Sequence, residues 1–192
     1  MNGIRILGAV LAVALMIFVM APIASAQTYA GILQNQWFKV SVSMKGYGIA
    51  DDGETVMGKG GGSVHAYLYM SYDTNLLQYT VTTCTQDNFN DSIWHKNTAA
   101  PLSIDSIYGF TYPQVWEFDG IYLEFYNGEE DIYIYPTFYT KVTVNGSTLS
   151  NATISNVACL VYVDMASGEY GTGSCTIKGS LVSVDKVPAG CQ

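Results

Sequence analysis

The feature that most limits what this chain can become is alternation. In residues 37–45, Phe38, Val40, Val42 and Met44 take every second place, with Lys39, Ser41, Ser43 and Lys45 between them. A period of two belongs to a β-strand, whose successive side chains point to opposite faces. Residues 63–72 repeat it with Val64, Ala66, Leu68 and Met70. Asp73-Thr74-Asn75 reads as a turn, and Leu77, Tyr79 and Val81 carry the pattern back. Such alternation implies sheets with one buried face, as in antiparallel folds. The 15 tyrosines and 19 glycines suit strands and turns better than helices. Further strands are expected near 92–97, 102–108, 131–135, 138–144 and 180–185, with Pro136 at an edge or bulge. Residues 48–62 read as a Gly-rich acidic loop, and 147–156 do not alternate cleanly.

The N-terminus carries a different signal. Arg5 precedes an uncharged apolar run from Ile6 to Met20, Pro22 ends it, and Ala24-Ser25-Ala26 supplies small residues for cleavage. This is the plan of a secretory signal peptide over 1–26, helical and too short to span a bilayer comfortably. The expected organisation is a cleaved segment 1–26 and a single all-β domain 27–192, secreted or periplasmic. That domain should hold about 8–11 antiparallel strands, as an up-and-down barrel or a β-sandwich. Trp37-Phe38 in the first strand resembles the aromatic opening of lipocalin-type barrels, with Asn35 in place of the small residue found there. The resemblance implies an architecture and no activity.

Two hairpins are expected. Asp119-Gly120 has the form of a two-residue turn, pairing Phe118 with Ile121 and Trp116 with Leu123. Ala166-Ser167-Gly168 would centre the other on Ser167 and set Cys159 opposite Cys175, within disulfide reach. Their face also carries Val157, Val161, Val163 and Ile177, so this bridge should point inward. Cys84 and Cys191 are then left to each other. Cys84 shares the parity of Thr80 and Thr82, so its bond would fasten the C-terminal tail to the outer wall. Disulfides follow from an exported destination.

Charge narrows the partners. Residues 27–192 hold sixteen acids, seven lysines and no arginine. Nucleic acid needs a basic footprint, so it is a poor partner, as is an anionic membrane surface. Gly53 to Lys59 has the spacing of a phosphate-binding loop, but Gly60 stands where Ser or Thr should hold magnesium. His65 and His95 have no metal-ligand spacing, and His65 falls on a polar strand face. The acidic groups Asp51, Asp52, Glu54 and Glu129, Glu130, Asp131 allow at most a weak loop calcium site. No other cofactor is expected.

The leading expectation is a non-catalytic binding module, taking a small apolar ligand in a barrel or a glycan on a tyrosine face. Tyr67, Tyr69, Tyr122, Tyr126, Tyr133 and Tyr135 lie on polar strand faces and would form that aromatic surface. The second expectation is a cell-surface structural protein that meets another surface protein through its edges and acidic loops. The third is a glycoside hydrolase using Glu117 and Glu124, diagonal neighbours on the Asp119-Gly120 hairpin.

Overall fold

The computed structural model describes residues 31–49, 56–76, 78–86, 94–98, 102–103, 115–118, 121–126 and 130–192. The segment 1–26, expected to be a signal peptide, lies outside them. Ten strands follow one another: β1 (Gln36–Ile49), β2 (Val56–Asp73), β3 (Gln78–Gln86), β4 (Trp94–Thr98), β5 (Leu102–Ser103), β6 (Val115–Phe118), β7 (Leu123–Tyr126), β8 (Glu130–Asn145), β9 (Thr148–Met165) and β10 (Tyr170–Val182). All belong to one antiparallel sheet of order β4-β3-β2-β1-β10-β9-β8-β6, with β5 on β3 and β7 on β8. The domain is all-β and up-and-down. Among the described residues it is one sheet that does not close on itself, since its ends share no ladder.

The sheet nevertheless curls around its own core. Phe38, Val40 and Val42 of β1 meet Val64, Ala66, Leu68 and Met70 of β2, and Leu123, Phe125, Ile134, Phe138, Ile154 and Ile177 arrive from the other half in the same buried cluster. The alternating faces of β1 and β2 thus point where their period predicts. β1 pairs with β10 through Phe38↔Leu181 and Val40↔Gly179, joining the two ends of the chain at the middle of the sheet. The opening falls instead between β3/β4 and β7. There β7 runs beside β3, and Asn97 Nδ2 donates to Glu124 Oε2 at 3.1 Å.

One end of the core is plugged. The turn at 31–35 drops Leu33, fully buried, into the mouth between β1 and β3, where its N–H donates to the Tyr79 hydroxyl. Asn35 adopts a left-handed φ of 59°, a conformation that asparagine tolerates better than most residues. At the β2–β3 turn, Asp73 Oδ1 accepts from the Asn75 and Leu76 N–H groups at 2.7 and 3.1 Å.

The hairpin on Ser167 forms as expected. Tyr170 faces Asp164 and Ser174 faces Leu160, Gly168 takes φ 88°, and Cys159–Cys175 is a disulfide with Cα atoms 4.9 Å apart. Both cysteines are buried in the core. Val157 departs from expectation: it faces solvent, because it is the extra residue of a bulge between Thr137↔Ala158 and Phe138↔Asn156. The Asn156 side chain accepts the Ile177 N–H there. A second bulge lies at Ser150, between Thr143↔Asn151 and Val144↔Leu149, and its hydroxyl donates to the Thr143 carbonyl. Each bulge shifts the phase by one residue, which is why 147–156 do not alternate cleanly.

Two further expectations are corrected. The Gly-rich stretch is strand, not loop: Gly58 to Gly62 belong to β2 and pair with Met44 to Gly48. The backbones run too close there for side chains; a Cβ on Gly61 would stand 2.6 Å from the Met44 carbonyl oxygen. Asp119 and Gly120 lie outside the described residues, and the strands that flank them are not paired with each other as the expected hairpin requires. β6 and β7 both run antiparallel to β8, Phe118 opposite Phe138 and Leu123 opposite Ile134. They therefore run in the same direction, as two pieces of an interrupted edge strand. Long-range pairing with β8 outweighs the local turn signal. Pro136, with no N–H to give, sits on β8 between the stretches that β6 and β7 occupy.

The second disulfide, Cys84–Cys191, holds the tail on the outer wall. After β10 the chain makes a short 3₁₀ turn at Val184–Lys186. Val187 and Cys191 then bury Tyr67 and Cys84 in a satellite cluster, against Trp37, Trp94 and Val182. Gln192 Nε2 donates to the carbonyls of Val184 and Val187 at 2.9 and 2.7 Å, and Lys96 Nζ donates to the Gln192 carbonyl.

Candidate functional site

The end of the sheet opposite Leu33 is open. There the last turns of β1, the start of β2 and the β9–β10 hairpin converge, and the inward positions are glycines: Gly46, Gly60, Gly62 and Gly171. The space left by their missing side chains is a cavity of about 330 Å³. Met44, Ile132, Val161, Val163 and Met165 make its apolar wall, with Glu130 and Lys45 at the rim. Gly46 is fixed by close approach, since a Cβ would come within 2.7 Å of the Thr172 carbonyl oxygen. Gly60 is not: nothing stands within 4 Å of its Cβ position, so a side chain there would grow into free space.

The six expected tyrosines do not make one surface. Tyr67 is buried beneath the tail, its ring edge-on to Trp94 at 5.5 Å. Tyr69 rests on Trp37 at 4.9 Å and donates from its hydroxyl to Asn35 Oδ1 at 2.7 Å. These two stand on β2, whereas Tyr126, Tyr133 and Tyr135 stand on β7 and β8 and Tyr122 just before β7, with β1, β10 and β9 between. Tyr122 lies 6.4 Å from Tyr135, which is 50% exposed. Tyr126 is exposed at the end of β7. Tyr133 lies 6.5 Å from Tyr162, and Tyr162 stacks on Tyr170 at 6.1 Å. Desolvation raises the Tyr133 hydroxyl above the ordinary tyrosine range, reinforced by the charges of Asp131, Glu124 and Asp164.

Tyr162, Tyr170 and Leu160 complete this outer face and were not singled out from sequence. The cue was present in Asn145-Gly146, a two-residue turn signal that would have paired β8 with β9. The two bulges then move the partner of Tyr133 along β9 by an even step, so the outward parity of Tyr133, Tyr135, Leu160 and Tyr162 survives. Between this face and β1 lies a groove of about 820 Å³ lined by Lys45, Lys59, Tyr135, Leu160, Tyr162 and Ser174 among others.

The carboxylate pair is not assembled as expected. Glu117 stands opposite Tyr139 and Glu124 opposite Tyr133, which separates their backbones by about 20 Å at 3.4 Å per residue. Glu124 instead borders a polar hollow of about 370 Å³ at the opening of the sheet, with His95, Lys96, Asn97, Thr85 and Tyr126. Among the described residues no three His, Cys, Asp or Glu side chains are placed to hold a metal ion. Of the acidic groups weighed for calcium, Asp51, Asp52, Glu54 and Glu129 lie outside those residues. His65 is exposed, as its strand face requires. Lys59 of the phosphate-loop look-alike stands in strand β2.

No protein-family model and no curated protein matches this chain. Two disulfides place the fold in an oxidising environment, and no described helix is long and apolar enough to cross a membrane.

Proposed function

We propose that this chain is an exported, non-catalytic binding protein that holds a small apolar ligand at the glycine-lined open end of its sheet. The observation that carries the reading is the cavity of about 330 Å³ walled by Met44, Ile132, Val161, Val163 and Met165. Its volume is near the lower end of the roughly 300–1,000 Å³ typical of ligand pockets. Methionines at the wall suit ligands of varied shape, since their unbranched side chains repack easily. Leu33 stoppers the far end of the core, which leaves the glycine-lined mouth as the apolar way in among the described residues. Signal segment, acidic surface and disulfides fit a secreted or periplasmic carrier.

The test is titration of the mature protein with the apolar fluorophore N-phenyl-naphthylamine, followed by competition with aliphatic alcohols of increasing length. Saturable, blue-shifted emission is expected, and Gly60→Phe should weaken it at least tenfold while leaving the melting temperature within a few degrees. Equal binding by Gly60→Phe would place the fluorophore elsewhere and remove the basis of the proposal.

A further inference from the structure

The outer groove has a chemistry of its own. On β1, Lys45 points away from the core, and its cross-strand neighbours are Gly61 and Ser174. These carry little bulk, so the floor of the groove is low. The side chains of Tyr135 and Leu160, directly opposed on β8 and β9, stand as its far wall; Leu160 is 65% exposed. Lys59 borders the near side. A chain with sixteen acids and only seven lysines beyond residue 26 has therefore brought two lysines to one concave surface. Charge also grades along the face. Past Tyr162 stand Asp131 and Asp164, directly opposed across β8 and β9, so an anion is favoured at the lysine end and repelled at the other.

We propose that this groove binds an acidic glycan. A lysine is a point charge suited to a carboxylate or sulfate and needs no bidentate geometry. The exposed rings of Tyr135 and Tyr162 offer apolar surface to the C–H faces of sugars, with their hydroxyls and those of Thr172 and Ser174 left for sugar hydroxyls. Neutral glycans would meet the same rings without the ion pair, and acidic peptides would meet the lysines without using the rings for sugar faces. The groove adjoins the inner cavity and shares Lys45, Gly46, Val161 and Thr172 with it, whereas Lys59, Tyr135, Leu160 and Tyr162 line the groove alone.

Binding of the mature protein to polygalacturonate, to its methyl ester and to poly-glutamate, each measured by calorimetry at low and high salt, tests the proposal. Polygalacturonate should bind at least tenfold more tightly than either comparison polymer. Lys59→Gln and Tyr135→Ala should each weaken it about fivefold or more, and added salt should abolish most of the difference between Lys59→Gln and the parent. Gly60→Phe, at a glycine that lines the inner cavity and not the groove, should leave polygalacturonate binding unchanged, so loss of fluorophore binding and loss of glycan binding are read separately. Equal affinity for the methyl ester would remove the role of charge. Equal affinity for poly-glutamate would make the groove a peptide or ion-exchange surface. No binding at all, or indifference to both substitutions, would likewise overturn the assignment.

Discussion

The two disulfides close loops of very different length, and that difference sets a sharp expectation. Cys84 and Cys191 are 107 residues apart, Cys159 and Cys175 only 16. In the chain-entropy model, a cross-link removes unfolded-state entropy that grows with the logarithm of the loop, giving about 5 kcal/mol for the first bridge and about 3 for the second. The packing that each bridge supports acts in the same direction. Cys84–Cys191 keeps Val187 in one buried cluster with Tyr67, against which Trp37 and Trp94 pack, whereas Cys159–Cys175 joins strands that already share a ladder. Replacing each pair by alanine and measuring urea unfolding should therefore cost more for Cys84→Ala/Cys191→Ala, by about 2 kcal/mol or more. The long-loop variant should also expose Trp94 to acrylamide quenching before global unfolding, as the tail lifts. If the short-loop variant proves the less stable, the entropic reasoning fails for this fold, and strain or residual structure in the unfolded chain governs instead.

Other expectations are narrower. Thr140 is fully buried and its hydroxyl has no hydrogen-bond partner among the described residues, so Thr140→Val should be neutral or stabilise by up to about 1–2 kcal/mol in thermal unfolding; a clear loss would reveal a partner. Asp131 and Asp164 oppose each other across β8 and β9, and Asp164→Asn should gain about 0.2–1 kcal/mol, an effect that added salt should shrink. Burial pushes the Tyr79 hydroxyl well above the ordinary tyrosine range, partly offset by the Leu33 N–H and reinforced by Tyr72. The folded protein thus keeps a proton that the unfolded chain gives up near pH 10, so this contribution is intact below pH 10 and is lost as pH rises beyond it. Tyr79→Phe should flatten that alkaline decline by one proton in denaturation curves across pH 9–12, while costing about 1–3 kcal/mol at neutral pH for the lost acceptor.

What the sequence made legible was parity. Phe38, Val64 and Tyr79 took the faces their period assigns, and the outward parity of Cys84 already implied a bridge to the tail over the outer wall. Hidden were the places where long-range pairing overrules a local signal. Asp119-Gly120 looks like a turn because its chemistry permits one, yet β8 claims both flanking stretches. The glycines near residue 60 look like a loop because glycine is usual in loops, while here strands approach too closely for side chains. The tyrosine face was half legible for a related reason. Parity tells which side of a strand a ring occupies, but not that Tyr67 will be roofed by the tail or that β2 and β8 belong to different walls. The open apolar mouth could not be read at all, because it is made of side chains that are missing.

The pairing of β1 with β10 also bears on how the molecule comes into being. β2 can fold back on β1 soon after both are made, but the other margin of β1 has no partner until nearly the whole described chain has followed. Closing so long a span is slow, since its entropy is lost before the contacts reward it. In the interval β1 offers an unpaired margin of 14 residues, the kind of edge that recruits other chains. A chain kept unfolded by the export machinery and released whole on the far side would avoid that interval. The export proposed above would thus let the strand pair at the centre of the sheet assemble after transport rather than during synthesis.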